Sequence, residues 1–281
     1  MAVLGSLGSV SVFVRDRKRA KEFYTRKVGL KVRQEMKDMG FLALGTTKGG
    51  KDASLLVWQP TGNREAWGEG YDDAVASVGI VTGIGFGTED VAGTVKGLQR
   101  RGVKVSGYEP GATFASFSDP DGNVFFMGGP RKPKVRRSGL GFLAFVTVVS
   151  RDSDRAGTWF TKALGMKRFR MPGEESEEFV GYRLSRDGTM IGPFTPEKDM
   201  YDNPRDYDAD IAHIGEDTGI VFPTRNLQAT QDALMARGVR FSQKAEPTPW
   251  GGWDAQFLDP DDNVYTLIQR RGATRARRVS K

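Results

Sequence analysis

The chain has 281 residues, 38% hydrophobic and 27% charged, an ordinary globular balance with room for about two domains. It contains no cysteine and a single histidine, His213, which excludes disulfides, thiolate catalysis, zinc–thiolate centres and any site built from several imidazoles. The net charge of +7 is concentrated in a linker (Arg131, Lys132, Lys134, Arg136, Arg137) and a tail (Arg270, Arg271, Arg275, Arg277, Arg278, Lys281), which leaves the rest of the chain net acidic.

In chain order, Val10, Val12 and Val14 alternate with Ser9, Ser11 and Phe13 as a strand with one apolar face. Asp16 is placed to cap a helix over 19–27, and Gly29 follows where a left-handed residue ends it. Segments 41–44 and 54–58 read as antiparallel strands. A second strand–helix–strand unit begins at Gly83-Ile84-Gly85-Phe86-Gly87. Asp90 caps its helix, Val91, Val95 and Leu98 share one face, and Gly102 stops it. Segments 114–117 and 124–127 flank the turn Asp119-Pro120-Asp121-Gly122-Asn123 as a hairpin.

The chain then repeats itself. Asp16 and Asp152, Gly29 and Gly165, and the Arg101-Gly102-Val103 and Arg237-Gly238-Val239 turns stand at one offset of 136 positions. The hairpin turn returns as Asp259-Pro260-Asp261-Asp262-Asn263, displaced by four more because Pro247-Thr248-Pro249-Trp250-Gly251-Gly252-Trp253 lengthens a loop. Asp262 replaces a turn glycine, a cost if that position is left-handed. A repeat of this length is a domain rather than a solenoid unit. The expected division is a first module over 1–129, a basic linker over 130–140, a second module over 141–270 and a basic tail over 271–281. The long segments 62–76 and 197–217 are expected to cover the mouths of the sheets.

Paired βαβββ units with a helix-capping Asp, the Phe23-Tyr24 pair, a Val-Gly-Leu helix end and a DPDGN hairpin resemble the vicinal oxygen chelate superfamily. That group holds glyoxalases, extradiol dioxygenases, and fosfomycin- and bleomycin-resistance proteins. The resemblance implies an α+β fold of two tandem modules. Each would be two βαβββ units forming a curved, cup-shaped mixed sheet with helices outside. It also implies an intramolecular pseudo-dimer of modules. Family enzymes place one metal ligand on each of four strands; the matching positions here are Ser9, Leu56, Gly83 and Phe126, then Phe145, Gly192, Gly219 and Thr266. None is His, Glu, Gln or Asp, so no metal and no other cofactor is expected.

Alternation assigns cup-facing residues. The first module presents Ser9, Ser11, Phe13, Ser54, Leu56, Trp58 and Phe126 to its cup, with Gly83 and Gly85 making room for a planar guest. The second presents Phe145, Thr147, Phe194, Asp254, Gln256 and Thr266, with Trp250 and Trp253 near the mouth as a stacking clamp. Module two is the expected better site. Concave apolar walls with sparse polar groups suit a small molecule, so the leading reading is a metal-free binding protein for a planar aromatic metabolite or antibiotic. The alternative is a metal-independent enzyme using Asp254, His213, Tyr182 or Tyr201 for proton transfer, with catalytic residues unassigned. A third reading is a scaffold acting through its basic linker and tail. No aromatic residues interleave with those charges, which disfavours nucleic acid as a partner. The longest apolar run, 142–149, has strand length, so no membrane span is expected. No secretory signal is legible, and the cytoplasm is the expected compartment.

Overall fold

The structure is a computed structural model and describes residues 4–37, 40–50, 52–60, 64–130, 137–170, 180–248 and 251–270. One βαβββ unit comprises β1 (Ser9–Phe13), α1 (Arg17–Glu22), β2 (Lys31–Met36), β3 (Phe41–Gly45) and β4 (Ser54–Trp58). Two short helices, α2 (Arg64–Trp67) and α3 (Tyr71–Ala76), lead to the next unit. It contains β5 (Val81–Gly87), α4 (Val91–Arg100), β6 (Lys104–Ser106), β7 (Phe114–Ser118) and β8 (Val124–Gly128). The second half repeats the plan with β9 (Phe142–Val149), α5 (Ser153–Lys162), β10 (Lys167–Arg170), β11 (Val180–Arg183) and β12 (Met190–Phe194). A short 3-10 helix (Lys198–Met200) and one α-helix, α6 (Pro204–Ala212), then precede β13 (Asp217–Pro223), α7 (Leu227–Met235), β14 (Arg240–Pro247), β15 (Trp253–Leu258) and β16 (Val264–Gln269).

Local chemistry sets these boundaries as the sequence implies. Asp16, Asp90 and Asp152 each accept the amide hydrogen three residues on at 2.9 Å, satisfying an orphan donor of the first helical turn. Asp262 has φ 70°, the one non-glycine in the left-handed region among the described residues, where the first turn has Gly122 at 92°.

The α+β class and the two-unit modules stand, but the strands pair differently from the expectation. Sheet I runs β14-β15-β16-β13-β1-β4-β3-β2 and sheet II runs β10-β11-β12-β9-β5-β8-β7-β6. Each sheet therefore joins one unit from each half. The joins are β1 with β13 (Ser9 opposite Val221) and β9 with β5 (Phe145 opposite Gly85), both antiparallel. Under the repeat offset one join becomes the other, the pattern of an isologous interface. Consequently neither module closes its own cup, and the two expected lining sets are exchanged. Alternation fixes which face a residue takes but not which strand lies beside it.

What holds a module together is the helical face between its two half-sheets. Val10, Val12, Val14, Leu55 and Val57 of sheet I share one buried core with Ile84, Phe86, Phe117 and Phe125 of sheet II. The repeated turn fastens the two layers. Asp119 accepts from the amides of Asp121 (2.8 Å) and Asn123 (2.9 Å), the Asn123 side chain (2.9 Å) and the Tyr24 hydroxyl (2.7 Å). Asn123 in turn donates to the Phe13 carbonyl at 2.9 Å, and Asp121 receives the Arg15 amide and the Arg19 guanidinium. The β15–β16 turn repeats this against Val149, Arg151 and Arg155. One exchange separates the copies. The helix supplies Tyr24 in the first, where the second has Phe160; the strand supplies Tyr265 in the second, where the first has Phe125. Burial raises the pKa of both tyrosines well above the usual value, and the adjacent aspartate adds to it.

Candidate functional site

The faces opposite the helices form two cups. In cup II, on sheet II, Phe145, Thr147 and Val149 of β9 alternate with the core residues Val146 and Val148. They stand beside Met190, Gly192 and Phe194 of β12. On the other side, Gly85 pairs with Phe126 of β8. A cavity of about 610 Å³ opens here, with Phe114, Phe126, Phe145 and Phe194 in its walls together with Thr147, Val149 and Val81. Its size falls within the range of small-molecule sites. Phe114 stacks on Phe126 with centroids 5.4 Å apart. Val81 and Phe114 are 61% and 40% exposed, so the cavity presents apolar surface to solvent, which soluble proteins ordinarily keep small unless it binds something.

The glycines of β5 serve the neighbouring strand rather than a guest. A Cβ at Gly85 would lie 2.1 Å from the Phe145 ring, and one at Gly83 2.1 Å from Thr147 Oγ1. Gly83 also sits at φ 65° in a bulge where Thr82 Oγ1 donates to the Val124 carbonyl, and Gly219 repeats both the angle and the bond (Thr218 to Val264). The expectation that these glycines leave a planar slot is therefore corrected: side chains of β9 occupy that space.

One rim of the cavity is acidic. The 197–217 segment, expected to cover a mouth, supplies Asp210, His213, Glu216 and Asp217 to the lining. No α6 residue is buried, so this helix lies over the opening without an apolar anchor. Tyr201 donates to Asp210 at 2.5 Å, and His213 Nδ1 lies 2.8 Å from Glu216 Oε2. Burial and the Asp210 contact push the Tyr201 phenol far up. Asp217, an exposed residue of the lining, accepts the Gly219 amide at 2.9 Å, and desolvation of its carboxyl raises its pKa.

Cup I differs because its own side chains fill the equivalent space. Where cup II has Val149 and Phe194, cup I has Phe13 and Trp58. The Trp67 ring meets both edge-on, at 5.7 and 5.8 Å, and Phe41 lies 4.9 Å from Trp58. Ser11 accepts the Trp58 indole N–H at 3.2 Å.

The predicted residues thus divide between the cups. Phe126, Phe145, Thr147 and Phe194 converge on the cavity. Ser9, Ser11, Trp58, Asp254, Gln256 and Thr266 belong to sheet I. Asp254 accepts from Gln243 at 2.8 Å, and burial raises its pKa. Trp253 pairs in β15 with the alternation of Ala255 and Phe257, the face opposite to Asp254, and is 46% exposed; it does not clamp the cup. Trp250 lies outside the described residues. Tyr182 packs on the helix side, its hydroxyl 2.0 Å from where a Gly157 Cβ would stand, and so is no cavity base. Sequence reasoning missed Phe114, Val81, Asp210, Glu216 and Asp217. The signal for the last three was the long 197–217 connection; for Phe114 there was only its parity with Ser116.

Comparisons with known proteins agree with this architecture. The family profile described as Glyoxalase/Bleomycin resistance protein/Dioxygenase superfamily matches residues 6–126 and 142–266. The chain belongs to that superfamily. The uncharacterized protein YetH of Bacillus subtilis (strain 168) is 32% identical over 131 residues, 44% of this chain and 98% of YetH. Glyoxalase I from Zea mays superposes with a TM-score of 0.64 at 17% identity, over 94% of this chain and 92% of the other. A dioxygenase-like protein from Bacillus subtilis gives 0.59 at 13% identity, over 95% and 85%. At these identities the structural likeness is one of fold.

The superfamily includes metal-dependent enzymes, so the donor set matters. With the strands paired as they are, the four ligand positions of cup I are Ser9, Leu56, Gly219 and Thr266, and those of cup II are Gly83, Phe126, Phe145 and Gly192. Among the described residues no group of three His, Cys, Asp or Glu is placed to hold a metal ion. A divalent ion needs several nitrogen or oxygen ligands at roughly 2.0–2.6 Å; these residues do not fit one. No described helix is long and apolar enough to cross a membrane.

Proposed function

We propose that this chain is a metal-free binding protein that holds a planar, largely apolar aromatic molecule in cup II, between its two modules acting as an intramolecular pseudo-dimer. The observation that carries the reading is the cavity of about 610 Å³ walled by Phe114, Phe126, Phe145 and Phe194. Burying a planar ligand there removes apolar surface from water and adds ring–ring contacts worth about 0.5–1.5 kcal/mol each. The cysteine-free chain suits a reducing compartment, and the cytoplasm is part of this reading.

A second reading has an observation of its own. His213 with Glu216, and Asp210 with Tyr201, stand at the cavity rim, which is the material for metal-independent proton transfer. One experiment separates the two. A library of fused-ring aromatics is screened by thermal shift, and each bound compound is incubated with the protein in deuterium oxide, recovered and weighed by mass spectrometry, so that proton transfer registers as deuterium uptake. The binding reading expects stabilisation and an unchanged mass; a changed mass supports turnover. The control is Val149→Phe, Phe194→Trp and Asn203→Trp together, which gives cup II the three aromatic side chains that fill cup I. This variant should fold and lose the ligand. Undiminished binding by it would place the site elsewhere.

A further inference from the structure

We infer that cup II is a receptor for arylalkylamines, with a fused aromatic ring against the phenylalanine walls and a protonated amine at the Asp210–Asp217 rim. This rests on cup II being the ligand site, and adds the chemical class.

The protein carries its own template for the ring. In cup I the Trp67 indole lies edge-on to Phe13 and Trp58. The residues equivalent to those two, Val149 and Phe194, line the cup II cavity. The residue equivalent to Trp67 is Asn203, which caps α6 through its bond to the Arg205 amide at 3.1 Å. The place that an indole fills in cup I is thus open space in cup II, with similar aromatic walls on offer. A fused bicyclic ring is the occupant that the fold already accommodates there.

The charge of the guest follows from the rim. The chain has 42 Lys and Arg against 35 Asp and Glu, yet the cavity lining includes Asp210, Glu216 and Asp217 and no Lys or Arg. Glu216 is engaged by His213. Asp210 takes a neutral hydroxyl, and Asp217 a backbone amide; neither has a cationic partner among the described residues. Carboxylates at a cavity mouth without a counter-ion favour a cation that brings its own hydrogen-bond donors. The faces of Phe114 and Phe194 would attract the same charge. An anionic guest would meet repulsion from the rim, where His213, already held by Glu216, is the one basic side chain among the described lining residues.

The test is calorimetric titration of the full chain with three indoles that differ at one end: tryptamine, tryptophol and indole-3-propionate. Tryptamine should bind about tenfold tighter than tryptophol, as a charge-assisted bond implies, and indole-3-propionate weakest. Asp210→Asn with Asp217→Asn should lower tryptamine affinity by a similar factor and erase its advantage over tryptophol. Equal affinity for tryptamine and tryptophol, or preference for the acid, would overturn the inference. So would binding of neutral 2-naphthol in cup II without binding of any indole, an outcome that leaves the binding function itself intact. Absence of binding by all four ligands, or binding undiminished by Val149→Phe, Phe194→Trp and Asn203→Trp together, would overturn both.

Discussion

Replacing Gly85 with alanine tests how the cavity wall is built. The added Cβ would lie 2.1 Å from Cε1 and Cζ of Phe145 and 2.7 Å from Cδ1, against about 3.5 Å for ordinary carbon contacts. The ring must therefore withdraw by roughly 1.4 Å, and Phe145 is only 4% exposed. Overpacking of this kind costs about 1–3 kcal/mol. Without a clash, Gly→Ala in extended backbone would stabilise by about 0.4–1 kcal/mol through the unfolded chain, so the sign itself is informative. At about 2–4 °C per kcal/mol for a chain of this size, the melting temperature should fall by roughly 2–12 °C, followed by circular dichroism. In a Phe145→Leu background the same substitution should cost at least about 1 kcal/mol less, a coupling typical of residues in contact. The retreating ring should also crowd the cavity and weaken aromatic ligands. If Gly85→Ala costs the same in both backgrounds, or stabilises the protein, the packing argument fails.

Three further substitutions probe other parts of the account. Asp119→Ala should destabilise by about 3–5 kcal/mol in urea titration, because the Asn123 and Tyr24 donors it satisfies are buried; Asp259→Ala should behave alike. Trp67→Ala should open cup I and raise the stoichiometry of an indole ligand from one to two by calorimetry, at a stability cost below the roughly 3–5 kcal/mol of a fully buried Trp. Trp253→Ala should leave ligand affinity within about twofold, since the side chain sits on the face opposite to Asp254 and a substitution that leaves binding contacts intact shifts the equilibrium by less than 1 kcal/mol; the Trp-Gly-Gly-Trp motif alone suggests the contrary.

The strand periods, helix caps and hairpin turns were legible because each is a local rule. Asp16 and Asp152 cap their helices, and Val10 and Val12 turn to the core, as their neighbours in sequence require. Which strand lies beside which is not local. The pairing of Ser9 with Val221 joins residues from opposite halves, and the alternation of either segment does not distinguish that partner from Gly85, the position equivalent to Val221 in the first half. The candidate site inherits this limit: alternation groups Phe145 and Thr147 with Asp254 and Gln256 in one cup, whereas the strands beside β9 bring Gly85 and Phe126. The empty space itself comes from differences between equivalent residues, Phe13 against Val149 and Trp58 against Phe194. Those differences become informative only once the cups are known to be equivalent.

The central claim is that cup II, and not cup I, is the ligand site. Methyl-labelled protein titrated with tryptamine or another fused-ring aromatic tests it most directly by NMR. Ile80, Val81 and Val149 line the cup II cavity, while Leu56 and Val221 stand on the cup I face of β4 and β13. The account predicts saturable shifts for the first three methyl-bearing residues and none for the other two. Shifts of Leu56 and Val221 alone, or no saturable shifts across a broad set of planar aromatics, would contradict it.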